Sequence, residues 1–223
     1  LGNWFTVNNL FRPKLALKAG QFTRLRFLNA ANVRNMGLLF KGHDPLLVAL
    51  DGQPVKPRLL DQKALVLAPG QRADLLASPE DGDITLALDL FEDIVEIAYL
   101  VRDGDAAPPA IPENFALPPN PAVAPGPAGT LRTVQITIEG GIKGGLKSAK
   151  FRGETMDLRA LLENGKGWAM NGAAGPTDVP LFTAAEGETV VLAVENRTAF
   201  TQAIHIHGHG WQEVSADAGE AAP

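Results

Sequence analysis

Short alternating or apolar runs, each closed by a turn signal, constrain this chain most. Lys14-Leu-Ala-Leu-Lys18 and Thr23-Arg-Leu-Arg-Phe-Leu28 alternate in polarity. Successive strand side chains point to opposite faces, so each run reads as a half-buried β-strand. Leu46-Leu-Val-Ala-Leu50 is continuously apolar and stops at the turn dipeptide Asp51-Gly52. Ala64-Leu-Val-Leu67 stops at Pro69-Gly70, and Ala73–Ala77, Ile84–Leu88 and Ile94–Val101 follow. Seven or eight such strands with no long helical period predict an antiparallel sandwich or barrel for residues 1 to about 103.

The next stretch has a different composition. Asp105-Ala-Ala-Pro-Pro-Ala-Ile-Pro112 and Leu117-Pro-Pro-Asn-Pro-Ala-Val-Ala-Pro-Gly-Pro127 hold about half of the 17 prolines. Residues 104–129 therefore read as an extended, semi-rigid connector between two domains. A second domain, 130–223, opens with the strand Thr130–Ile138. One short helix is predicted at Thr155–Gly165, with Thr155 as its cap, Asp157 in its first turn and Gly165 at its end. Strands are expected again at Trp168, at Leu181, at Thr189–Val194 and at Ala203–Val214. The glycines at 140, 141, 144 and 145 form a loop, and no Gly-Lys-Ser/Thr follows at phosphate-loop spacing.

Composition removes several function classes. The net charge is −5 and no basic stripe exists, so nucleic acid is not an expected partner. No apolar run approaches the roughly 18 residues that span a bilayer. Leu1-Gly-Asn-Trp-Phe5 shows no charged leader region. With no cysteine there are no disulfides, thiolate zinc sites or cysteine nucleophiles, and no blue-copper centre within these residues, since that centre needs a thiolate.

The chain has 4 histidines, and three of them alternate in Gln202-Ala-Ile-His205-Ile-His207-Gly-His209. On a strand the three imidazoles share one face, and Ile204 and Ile206 take the buried one. Neutral imidazole is a common ligand for copper, zinc, iron and nickel. Alternate strand residues stand roughly 6.5–7 Å apart, a spacing that suits ligands of neighbouring ions better than one chelated ion. The plain alternative is a strand whose histidines only make hydrogen bonds.

The two halves also repeat. Asn8-Asn9, Gly20, Asn29 and Gly42-His43 recur as Asn171-Gly172, Gly187, Asn196 and Gly208-His209. Asn29 stands nine positions after Gly20, and Asn196 nine positions after Gly187. Repetition of one sandwich unit accounts for the length and the connector. His43 and His209 occur in both copies and read as structural. His205 and His207 fall near Leu38, Leu39 and Phe40 and are the additions, hence the functional candidates.

Val7-Asn-Asn-Leu10, Lys18-Ala-Gly20, Arg24-Leu-Arg-Phe-Leu-Asn-Ala30, Ala49-Leu-Asp-Gly-Gln-Pro54 and Leu67-Ala-Pro-Gly-Gln-Arg-Ala-Asp74 resemble the middle domain of the multicopper oxidases, the laccase-like family built from cupredoxin sandwiches. Trp168-Ala-Met-Asn-Gly172, Glu186-Gly-Glu188, Glu195-Asn-Arg-Thr198 and Ile204-His-Ile-His-Gly-His209 resemble its last domain. The resemblance implies an all-β fold: two cupredoxin-like Greek-key β-sandwiches joined by the Pro-rich linker, the second incomplete at its C-terminus. It implies copper as cofactor, dioxygen and a small reducing substrate as partners, and a periplasmic or extracellular location. His205 resembles a type 2 copper ligand and His207 a type 3 ligand of the cluster that reduces dioxygen to water. His209 is not usually a ligand. Gln202 stands where the family has its type 1 copper histidine, with Ala203 where proline is common.

The family's cluster takes eight histidines, so the resemblance implies a missing N-terminal cupredoxin domain and a missing terminal His-Cys-His segment. The 223 residues are then the middle and most of the last domain of such an oxidase, inactive alone. The competing expectation is a copper-free cupredoxin tandem with a structural or partner-binding role, with which Gln202 is compatible. A third, a carrier of one ion on His205, His207 and His209, is weaker because of the strand spacing.

Overall fold

The computed structural model describes residues 4–78, 82–90, 93–121, 131–211 and 214. Two compact units form: Leu1–Ala122 with His205–Pro223, and Val123–Ile204.

The first unit is a two-sheet sandwich. Its strands are β1 (Lys14–Lys18), β2 (Thr23–Leu28), β3 (Met36–Lys41), β4 (Leu46–Leu50), β5 (Gln53–Leu59), β6 (Leu65–Leu67), β7 (Arg72–Ala77), β8 (Ile84–Asp89) and β9 (Ile94–Asp103). One sheet has the order β1-β9-β8-β3-β6 and the other β2-β7-β4-β5. Of the consecutive strands, β4–β5 and β8–β9 pair as hairpins, and the chain otherwise crosses between sheets, the Greek-key habit. Asp51-Gly52 is the two-residue hairpin turn of β4–β5, both residues with positive φ.

The core lies between the sheets. Leu38, Phe40, Leu86, Leu88 and Leu100 from the first sheet meet Leu47, Ala73 and Leu75 from the second. Phe27 of β2 meets Phe40 of β3 edge to face at 5.6 Å. Each fully buried leucine contributes about 1.5–3 kcal/mol. Asp74 sits in register with Arg26 on β2 and is bonded by Arg24 Nε at 2.9 Å, so the arginines and the aspartate of the family-like motifs are one ion-pair group.

The seven strands read from the pattern all form. β3 and β5 were not legible. β3 has no alternation, because it is covered on both faces over much of its length. β5 carries Pro54 and Pro57, which read as breakers, and it survives as an edge strand where a missing N–H is tolerated. β1 pairs with β9 in parallel, a long-range contact that no local signal announces.

A bulge shapes β9. Leu86 faces Ala98 and Ala87 faces Glu96, leaving Ile97 as the extra residue. In a regular strand, positions 96 and 99 face opposite sides; the bulge brings them together. Tyr99 Oη donates to Glu96 Oε2 at 2.9 Å. That bond holds the Glu96 carboxyl below the usual range, assisted by Lys41, and pushes the Tyr99 phenol above its own.

The second unit carries β10 (Arg132–Gly140), β11 (Ser148–Phe151), β12 (Glu154–Asp157), α1 (Leu158–Glu163), β13 (Trp168–Met170) and β14 (Val190–Asn196). β10 is central, antiparallel to β13 and parallel to β14. β11 and β12 form a hairpin, and Leu161 of α1 packs with Leu146, Ala149 and Phe151. The helix starts later than the pattern predicts. Thr155 lies in β12, and Asp157 is the cap, accepting from Ala160 N at 2.8 Å. Gly165 follows the helix at φ +68°, as expected. Leu181 and Ala203–Trp211 carry no strand, and 212–213 lie outside the described residues.

The Pro-rich stretch 104–121 has no regular structure, and it lies along the first unit. Asn120 Nδ2 donates to Gly52 O at 2.7 Å, and a Cβ at Gly20 would stand 2.7 Å from Ala106 Cβ. Residues 122–129 of the expected connector, and residue 130, lie outside the described residues.

The internal repeat is visible as shared geometry. Asn8-Asn9 is closed by reciprocal backbone bonds between Val7 and Leu10, and Asn171-Gly172 by the same bonds between Met170 and Ala173. Gly20 and Gly187 have φ of +77° and +78°, each leading into a strand. Asn29 Oδ1 accepts from Ala31 N and its amide donates to Arg34 O; Asn196 Oδ1 accepts from Thr198 N and its amide donates to Phe200 O. Asn29 is buried and also donates to Leu67 O in the opposite sheet.

Asn29→Ala leaves those groups unsatisfied and is expected to cost about 1–3 kcal/mol, read as a lower denaturant midpoint at unchanged slope. The chain has 1 tyrosine, so its ionisation is read directly by absorbance. The expected midpoint lies above that of free tyrosine, and Glu96→Gln brings it back down. The bond's contribution through Glu96 is present above the unfolded carboxyl pKa and fades as pH falls through the depressed folded value. Through Tyr99 it is present below the unfolded phenol pKa and fades as pH rises through the raised one.

Candidate metal centre

The turn after β14 launches the histidine segment. The Thr198 hydroxyl lies 2.6 Å from Asn196 Oδ1 and accepts from the Gln202 amide nitrogen at 3.1 Å. Gln202 is half-buried, and its amide is engaged within this turn. Asn196, Thr198 and Gln202 thus set the entry to the site, a role the motif reading did not assign. The signal was present: Asn followed by Thr two residues on is an Asx-turn pattern.

From Gln202 to His207, half-buried and exposed residues alternate without a break. Ile204 and Ile206 are half-buried, while His205 and His207 are exposed. The segment has no strand ladder, yet it keeps the period of two, because the isoleucines still avoid water. The repeat explains the phase. Counting back from Gly208 and Gly42, Ile204 and Ile206 stand where Leu38 and Phe40 enter the first core. His205 and His207 stand where Leu39 and Lys41 face away from it.

The two imidazoles converge. His205 Nε2 and His207 Nδ1 stand 3.5 Å apart, with ring centroids at 5.7 Å and planes 70° apart. An ideal strand would hold these side chains wider apart. Without a ladder, the rings approach one another to the edge of hydrogen-bond distance. Imidazole nitrogen is a donor type that suits copper or zinc. Among the described residues no group of three or more His, Cys, Asp or Glu gathers to complete a site.

The other histidines differ. His43 is half-buried, and its Nε2 accepts from Ser78 N at 3.3 Å. His209 follows Gly208 and is exposed. Both glycines have positive φ, so the turn is shared while the histidine surroundings are not. A cleft of about 450 Å³ lies on the first unit, lined in part by Arg24, Arg26, Arg72 and Asp74, and none of the histidines borders it.

Comparison with known proteins gives a consistent result. A family model described as multicopper oxidase matches residues 3–85, and a second of the same description matches 152–223; together they span more than half the chain. Multicopper oxidase MmcO of Mycobacterium tuberculosis is 26% identical over 208 residues, covering 92% of this chain and 38% of that protein. The structure of Lac15 from a marine microbial metagenome superposes with a TM-score of 0.59 at 26% identity, covering 90% of this chain and 43% of that one. Cell division protein FtsP of Escherichia coli is 35% identical over 83 residues, 37% of this chain and 17% of that protein. The chain thus spans less than half the length of these relatives. The all-β, cupredoxin-like fold is shared with Lac15 over nearly the whole chain.

Exposure orders the four histidines chemically. A water-soluble acylating reagent is expected to modify His205, His207 and His209 before His43, whose Nε2 is occupied. Peptide mapping by mass spectrometry checks the order, and prior modification of His43 would contradict the geometry.

Proposed function

The chain belongs to the multicopper oxidase family, and on that premise we propose that His205 and His207 are copper ligands of a dioxygen-reducing centre. His205 takes the type 2 position and His207 a type 3 position, and the remaining ligands come from polypeptide outside these 223 residues. The observation that carries this reading is the exposed, converging imidazole pair on a segment whose alternate isoleucines turn inward. On this reading residues 1–103 are the family's middle domain, 104–129 a linker and 130–223 most of its last domain; matches at 3–85 and 152–223 support the presence of two domains.

Bound copper supplies the one-electron steps that couple oxidation of a small substrate, such as a phenol, an amine or a metal ion, to reduction of dioxygen to water. The chain's own residues position the ligands. Burial of Ile204 and Ile206 fixes which face the imidazoles take. The Asn196–Thr198–Gln202 bonds fix where the segment starts. His205 Nε2 and His207 Nδ1 stand 3.5 Å apart, and ligation of neighbouring coppers requires each ring to be unprotonated at its binding nitrogen. Gln202 occupies the type 1 histidine position with its amide bonded to Thr198, which does not suit a blue-copper site. A periplasmic or extracellular location fits this reading. Among the described residues no helix is long and apolar enough to cross a membrane.

A second reading is a copper-free tandem that binds a protein partner. Two observations favour it: the engaged Gln202 amide, and the likeness of part of the chain to proteins named for cell division. The complete gene separates the readings, since upstream His-X-His pairs and a downstream His-Cys-His belong to the oxidase.

Calorimetric titration of copper into the chain and into a His205→Ala/His207→Ala variant tests the ligands. The expected outcome is saturable binding in the former that the variant loses; coincident tight isotherms would remove these residues from the site. The 223 residues alone are expected to oxidise no phenol and to show no intense blue band with copper, because they lack a thiolate and have 4 histidines. A strong blue band in the copper-loaded chain would refute this.

A further inference from the structure

The sheet β2-β7-β4-β5 has an inner face that builds the core and an outer face that carries charge. Leu25, Phe27, Ala73 and Leu75 turn inward. Their alternates turn outward, and register sets them in rows across the sheet. Arg26 of β2 stands opposite Asp74 of β7, Asp74 opposite Ala49 of β4, and Ala49 opposite Pro54 of β5. The neighbouring row sets Leu28 opposite Arg72. Ala49 reaches this face through a bulge. Leu47 pairs with Leu75 in the core, Ala49 pairs with Asp74, and Val48 is the extra residue. A single methyl group thus forms the middle of the row.

The Pro-rich stretch passes over this face. Asn120 Nδ2 donates to Gly52 O at 2.7 Å and to Gln53 Oε1 at 3.0 Å, at the turn between β4 and β5. Leu117 and Pro118 then form one wall of the cleft of about 450 Å³ that Arg24, Arg26, Arg72 and Asp74 also line. Small-molecule sites have volumes of about 300–1,000 Å³, largely apolar walls and a few placed polar groups. Proline has little conformational freedom to lose, so this wall is formed before any ligand arrives.

The charges in the cleft do not balance. Arg24 is engaged by Asp74 through both Nε and Nη2. Arg72 donates to the carbonyls of Asp51 and Gly70, and its Nη1 lies 3.7 Å from Asp51 Oδ1. Arg26 Nε stands 3.6 Å from Asp74 Oδ2, beyond hydrogen-bond distance. Among the described residues no hydrogen bond engages the Arg26 guanidinium, and its side chain is 70% exposed. Three arginines face two aspartates, so one positive charge remains, and it sits on Arg26.

We propose that this cleft binds a small organic monocarboxylate, with its oxygens on the Arg26 guanidinium and its apolar body against Leu28, Ala49, Pro54 and the Leu117-Pro118 wall. The guanidinium fork meets a carboxylate through two parallel hydrogen bonds. The single excess charge selects a monoanion over a dianion such as phosphate, and the apolar lining selects against acetate. The inference rests on the first unit alone and stands whether or not the histidines bind copper.

The test uses the full chain with benzoate as the probe, followed by calorimetry and NMR at low ionic strength. The expected result is saturable binding that shifts the Arg26 Nε–H and the Asn120 side-chain amide. Acetate and inorganic phosphate should bind about tenfold more weakly or worse. Benzyl alcohol, which keeps the ring without the charge, should not saturate. Arg26→Gln removes the fork at a largely exposed position and should weaken benzoate about tenfold at an unchanged thermal midpoint. Arg159→Gln, on α1, should change nothing. Absence of saturable benzoate binding overturns the proposal, as does equal binding of phosphate or benzyl alcohol. It is equally overturned if Arg26→Gln binds benzoate as the parent chain does, or if the shifts fall outside the cleft.

Discussion

Burial of every second side chain is the constraint on which this structure depends. In the first unit it selects which residues of each strand enter the space between two sheets, and the sandwich follows from that selection. The same constraint acts where no sheet forms. Ile204 and Ile206 stay half-buried on a segment without a ladder, and the histidines between them are exposed. The orientation of the candidate ligands is therefore a by-product of hydrophobic alternation and needs no bond to the imidazoles themselves.

A small set of polar turns converts this pattern into a repeated unit. Asn29 and Asn196 close their strands with the same pair of bonds, one to the amide two residues on and one to a carbonyl further along. In the first copy the asparagine is buried and ties one sheet to the other through Leu67. In the second, the corresponding turn reaches Gln202 and sets the start of the histidine segment. One sandwich device ties two sheets together in one copy and precedes the histidine segment in the other. The Asn8-Asn9 and Asn171-Gly172 turns show the same economy, with the second visibly holding a central strand.

Multicopper oxidase membership and the cupredoxin-like fold give these features a context, and the departures from the family pattern are as informative as the matches. Gln202 is bonded within the turn, its amide nitrogen donating to the Thr198 hydroxyl. The chain covers 38% of MmcO.

Most of the first sandwich was legible in the sequence, because β1, β2, β4 and β7 to β9 carry their burial pattern locally. So was the face of the histidines, since alternation fixes phase even without a partner strand. What the sequence could not supply were features set by residues far apart. β3 is buried from both sides and loses its alternation, and β5 tolerates two prolines only because it lies at an edge. β1 joins β9 in parallel across the length of the unit, and the bulge at Ile97 decides that Glu96 meets Tyr99. The start of α1 moved to Asp157 because Thr155 was taken by a hairpin with β11. The 3.5 Å approach of the two imidazoles is of the same kind. Sequence spacing sets the distance along an ideal strand, and only the absence of a ladder lets the rings turn toward one another. By itself the sequence determined the periodicity, the turns and the ligand types, because these are local. The tertiary structure decided pairing, register and the convergence of donors, because each depends on what the rest of the chain leaves beside it.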